Sequence, residues 1–92
     1  MSKQIWKFPL ESAFREPYPE VVMPKHAVVV HADFQGDQLC LWAAVNASKH
    51  IERVNRRFGV FGTGWPIPGN AFDHIATVQK PPFVWHIFEL PA

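Results

Sequence analysis

Residues 27–45 read Ala-Val-Val-Val-His-Ala-Asp-Phe-Gln-Gly-Asp-Gln-Leu-Cys-Leu-Trp-Ala-Ala-Val. The valine-rich first part, 27–34, and the apolar second part, 38–45, are both of strand length and rich in residues that suit a pleated surface. Between them Gln35, Gly36 and Asp37 supply the glycine that a short hairpin turn requires. The stretch predicts a β-hairpin. Simple alternation places Val28, Val30, Ala32 and Phe34 on one face of the first strand and Val29, His31 and Asp33 on the other. The second strand is apolar on both faces, with Leu39, Leu41, Ala43 and Val45 opposite Cys40, Trp42 and Ala44. It is expected at the centre of a sheet or covered on both sides.

Upstream, residues 4–10 alternate in part and contain Pro9, which suits a short edge strand. Residues 11–20 hold Pro17 and Pro19 without a sustained period and read as a connection, followed by a brief strand over 21–23 that Pro24 closes. Downstream, residues 46–49 read as a loop. Residues 51–61 fit a strand, but Ile51, Val54 and Phe58 also match helical spacing, so a helical turn over 49–55 stays open. Residues 74–80 alternate weakly, Ile75 and Thr77 against Ala76 and Val78, before Pro81 and Pro82 force a corner. A last strand over 83–90 sets Val84, His86, Phe88 and Leu90 against Phe83, Trp85 and Ile87.

About six to seven short strands with turn signals between them predict an all-β fold, a small antiparallel sandwich or barrel. One domain is expected over residues 1–92. Hydrophobic residues make up 48% of the chain and charged ones 18%, an apolar balance for so small a protein. Either the sheets wrap closely enough to cover both faces, or the outer face of the Trp42 or Trp85 strand meets a partner or a second copy in a homo-oligomer.

The net charge of +1 gives no general pull toward nucleic acid, which is not expected as a partner. Cys40 is the single cysteine, and no signal-like N-terminal stretch or apolar run approaching the ~18 residues of a membrane span is present. A soluble protein of the cytoplasm is the expectation, without a membrane partner.

Residues 61–70 read Phe-Gly-Thr-Gly-Trp-Pro-Ile-Pro-Gly-Asn, whose glycines permit tight turns while Pro66 and Pro68 remove N–H donors. An ordered, exposed loop follows, of the kind that often carries function. Arg53, Arg56 and Arg57 precede it; in a strand Arg53 and Arg57 point one way and Arg56 the other. Guanidinium groups bind phosphate, glycine backbones approach it closely, and Trp65 stacks on a base. Arg53, Arg56, Arg57, Thr63, Gly64 and Trp65 are therefore the candidate ligand-binding residues, with a solvated basic face beside a structural loop as the plainer reading. The Gly-Lys-Ser/Thr ending of a P-loop is absent. An exposed Trp65 between glycine and proline is equally suited to anchoring a protein partner, unless it folds back to cap the end of the sandwich.

Other chemistry has less support. His31 and Asp33 share a strand face and His86 approaches them only if the sheet closes, without the dense Cys/His spacing of a zinc site, so neither a metal nor a cofactor is expected. Cys40 lies between Leu39 and Leu41, which suits a buried thiol better than a nucleophile, and the acids are scattered. No catalytic residue is assigned and an enzyme is not expected.

Four segments carry a family resemblance: Ile5-Trp6-Lys7-Phe8-Pro9-Leu10, Leu39-Cys40-Leu41-Trp42-Ala43, Phe61-Gly62-Thr63-Gly64-Trp65-Pro66-Ile67-Pro68 and Val84-Trp85-His86-Ile87-Phe88-Glu89. Together they resemble a family of short proteins of unknown function encoded by tailed bacteriophages and prophages, with Phe-Gly-Thr-Gly-x-Pro-Ile-Pro as the most specific part. The resemblance implies an accessory protein acting in the cytoplasm of the infected bacterium, and by analogy one that counters a host defence by binding. The arginines and loop favour a nucleotide-like immune signal as the ligand to be sequestered. The alternatives are direct inhibition of a host defence protein and a structural or virion-associated role.

Overall fold

A computed structural model describes residues 3–11, 13–71 and 73–91. Seven strands follow one another: β1 (Lys3–Pro9), β2 (Glu20–Pro24), β3 (Val28–Gln35), β4 (Gln38–Asn46), β5 (Arg53–Gly62), β6 (Asp73–Lys80) and β7 (Phe83–Leu90). They form a three-stranded sheet of order β1-β4-β3 and a four-stranded sheet of order β2-β5-β7-β6, with every pairing antiparallel. The two sheets pack face to face as a sandwich, and the described residues contain no helix. The stretch 51–61 resolves in favour of the strand from Arg53 onward, preceded by a single turn in which the Ile51 amide donates to the Ser48 carbonyl at 3.2 Å.

The hairpin of β3 and β4 is present, β4 is central and β1 lies at an edge, as their sequences require. Leu39, Leu41, Ala43 and Val45 of β4 point inward, where they meet Leu10, Met23, Phe58, Val60 and Ile87. A valine or leucine fully withdrawn from water in this layer contributes about 2 kcal/mol through burial. The last strand, β7, is central in the larger sheet, which explains its two apolar faces.

Two face assignments differ from simple alternation, both because of bulges. Pairing slips between Val29 and His31, leaving Val30 as the extra residue. Val29, Ala32 and Phe34 therefore face the core, while Val28 opposes Ala44 on the outer side with His31 and Asp33. Val28 and Val30, expected inside with Ala32, are each 55% exposed. A second slip between His74 and Ala76 frees Ile75 from the side of Thr77, and Ile75 packs against the core with Ala76 and Val78.

Two charged side chains tie the sheets together at opposite ends. Arg56 on β5 points inward, pairs with Glu89 on β7 and donates to the Ala27 carbonyl just before β3. At the other end Lys80 of β6 donates to the Gly36 carbonyl at 2.8 Å, approaches Asp37 at 3.1 Å and sits over the Phe34 ring.

Candidate functional site

β5 carries the arginines at its start and delivers the glycine loop at its end. Its pleat sends Arg56 inward beside Phe58 and Val60, and Arg57 outward beside Glu20. Arg56 makes a fork to Glu89, Nε to Oε2 and Nη2 to Oε1 at 2.7 Å each. The hydrogen bonds to Glu89 hold its pKa above the ordinary guanidinium value, against the opposing effect of burial. Arg57 Nη2 lies 3.3 Å from Glu20 Oε2 across the strand pair, and the Arg53 guanidinium sits 5.5 Å from the centre of the Trp6 ring.

The loop's residues lie elsewhere. Arg57 and Thr63 are six positions apart along a strand path, roughly 20 Å at the extended rise per residue. The structure does not bring Arg53, Arg56 and Arg57 together with Thr63, Gly64 and Trp65 within one chain. The phosphate-and-base pocket read from their sequence proximity is divided between the two ends of β5, because consecutive strand residues move apart at full extension.

At the loop end the backbone turns sharply: Gly64 has φ of 86°, and the Trp65 amide donates to the Gly62 carbonyl at 3.1 Å. This turn lays the Trp65 indole back over Gly62, where an added Cβ would stand only 2.8 Å from the ring. Trp65 then meets Trp85 edge-on at 5.5 Å, yet remains 57% exposed. It is both braced and presented.

The cluster extends through Trp85 to Phe83 at 5.6 Å and Phe14 at 5.0 Å, and from Phe14 to Phe34 at 6.1 Å. Phe14, Phe83, Ile67 and Tyr18 are exposed. Trp65 is a shared wall of three grooves. One of about 260 Å3 lies toward Phe83 and Trp85, one of about 200 Å3 toward Phe14 and Glu16, and one of about 240 Å3 toward Tyr18 and Pro66. Arg15 and Glu16 are the charged residues lining them, and none of the β5 arginines does.

Thr63 closes a polar chain on the outer face of the larger sheet. Its hydroxyl lies 2.8 Å from His86 Nε2, His86 Nδ1 lies 3.0 Å from Thr77 Oγ1, and Thr77 Oγ1 lies 2.9 Å from His74 Nε2. His86 thus occupies the opposite outer face from His31 and Asp33, and the three do not converge. Cys40 is buried, with its thiol 3.6 Å from the Gln38 carbonyl.

Local sequence pattern marks none of Phe14, Tyr18 and Phe83 for binding, and it points to Trp85 only through the outer face of its strand, whereas Trp85 packs inward against the core. Phe14 and Tyr18 belong to a stretch read as connection, and a single aromatic in a Pro-containing segment carries no local periodic signal. Only the packing of that segment beside Trp65 and Trp85 joins them into one surface.

The model of a family described as Domain of unknown function (DUF7352) matches the chain over residues 1–92. No curated protein and no solved structure matches it.

Proposed function

The chain belongs to this family, the domain of unknown function DUF7352, and from that premise we propose that it acts by binding, through the aromatic surface around Trp65, a protein partner. The family description supplies no reaction, so the reading rests on the surface itself. In the bacteriophage setting that the sequence resemblance implies, the partner is a protein of the host defence, inhibited directly by occlusion in the bacterial cytoplasm.

The observation that carries this reading is the preorganised exposure of Trp65, held by Gly62 and Trp85 while more than half exposed and surrounded by Phe14, Tyr18 and Phe83. Aromatic anchors fixed before contact lose little conformational entropy on binding and dominate interface energies. Contiguous exposed aromatic surface on a small protein marks an interaction site. Sequestration of a nucleotide-like immune signal is the second reading, favoured by the groove that Trp65, Phe83 and Trp85 line, where an aromatic face suits a base. It places the weight on stacking, because Arg56 is committed to Glu89 and the other two arginines lie at the far end of β5.

The test is recovery of tagged protein from infected cells. A host protein retained by the wild type and lost with both Trp65→Ala and Phe83→Ala supports the proposal. Equal retention by all three overturns it, and a nucleotide retained in place of a protein transfers support to the second reading.

A further inference from the structure

The outer face of the three-stranded sheet is separate from the aromatic end. Reading across β1, β4 and β3, its rows are Ile5, Ala44 and Val28; then Lys7, Trp42 and His31; then Pro9, Cys40 and Asp33. Lys3 extends the β1 margin beyond the first row, and the bulge adds Val30 beside the second. Ile5, Val28 and Val30 are 57%, 55% and 55% exposed, and Trp42 lies half-buried at the centre. Exposed apolar surface of this extent on a sheet face, with charges at its margins, has the anatomy of an interface.

Its charge distribution identifies the occupant. The β1 margin carries Lys3 and Lys7; the β3 margin carries Asp33, with His31 beside it. Lys7 is not locked in place, since its ammonium group reaches across β4 only to the neutral Gln35 amide at 2.6 Å. A second copy laid on this face has two regular ways to align its strands. A two-fold axis perpendicular to β4 sets lysine margin on lysine margin. A two-fold axis parallel to β4 sets the lysine margin of each copy on the Asp33 margin of the other. It also places Ile5 over Val28 of the second copy, with Trp42 and Ala44 near the axis. Only the second arrangement pairs unlike charges and apolar rows together, and it does so twice because the interface is isologous.

We propose that this face is the interface of a homodimer whose two-fold axis runs parallel to β4; Lys7 of each copy then stands over His31 of the other and reaches diagonally, across about 7 Å, to Asp33 in the next row. The net charge of +1 per chain offers no general repulsion to oppose it. A face of three short strands is at the small end of specific interfaces, so dissociation in the micromolar range is expected.

Sedimentation equilibrium across micromolar to millimolar concentrations tests the proposal, with circular dichroism to confirm that each variant is folded. The wild type is expected to dimerise and Val28→Glu, at an outward position, to remain monomeric. Lys7→Glu and Asp33→Lys are each expected to weaken association about tenfold, and the double reversal to restore it, as for a close charge pair at an interface. A monomeric wild type overturns the proposal and leaves the face to a different partner. A dimer indifferent to Val28→Glu places the interface elsewhere and overturns it as well. Single reversals that weaken association without rescue by the double reversal overturn the axis direction.

Discussion

Arg56 is the side chain whose position most constrains what the others do. It faces the interior between the sheets with its side chain 20% exposed, and Glu89 opposite it is 12% exposed. An ion pair so withdrawn from water is costly to split, because the surviving charge keeps its desolvation penalty and loses its compensation. Glu89→Ala is therefore expected to destabilise the fold by about 3 kcal/mol. Arg56→Met combined with Glu89→Leu should recover at least half of that loss, since a paired apolar replacement removes both charges. Chemical denaturation of the two variants measures the difference, and a double variant no more stable than Glu89→Ala would refute the coupling. The sign of the pH effect follows from the raised Arg56 pKa. Its contribution is complete below the ordinary guanidinium value and is lost only as pH rises through the higher folded value. Titration of Arg56 therefore leaves stability unchanged from neutral to moderately alkaline solution. That the three arginines alternate in direction was legible from strand geometry. That Glu89, 33 positions away, holds Arg56 was not, because register between strands distant in sequence decides it.

Among the elements, β3 shows where local pattern stops being informative. Alternation locates the strand and its turn, but in a run of three identical valines nothing marks which one is extra. The partner strand decides: β4 needs Leu39, Leu41 and Ala43 inside, and matching Ala32 and Phe34 to that face leaves the surplus residue at Val30. The bulge gives neighbouring valines different energetic roles. Val29→Asp places a carboxylate against the core and is expected to cost about 3 kcal/mol. Val30→Asp remains in water and is expected to cost less than about 1 kcal/mol when measured in dilute, monomeric solution. Equal losses, or a larger loss at Val30, would mean that the bulge lies elsewhere. The same device at Ile75 tucks an isoleucine inward from β6, so both bulges sit on strands at sheet edges, where extra residues are most easily accommodated.

At the scale of the molecule, the turn joining β3 and β4, the turn joining β6 and β7, the glycine loop and the segment carrying Phe14 and Tyr18 all meet at one end. Lys80 and the aromatic contacts hold that end together. The all-β class and the central positions of β4 and β7 were legible in composition and alternation. The aromatic surface was not, because its members come from Phe14 to Trp85 and meet only through the packing of separate elements. Val28 and its neighbours occupy a lateral face, and Val28 begins β3 at the end away from the β3–β4 turn. A dimer formed through that face leaves both aromatic ends uncovered, so one partner should bind per chain. If the two proposed surfaces are independent, Val28→Glu should leave the solution affinity for the partner within about twofold, as expected for separated sites. On a surface densely coated with the partner, the dimer engages two copies at once and should dissociate at least about tenfold more slowly than the monomeric variant. Interferometry against dense and sparse coatings, together with titration calorimetry in solution, separates these outcomes. A solution affinity that collapses in Val28→Glu would show that the recognition site spans both copies, whereas equal dissociation from the two coatings would show that a dimer engages only one partner.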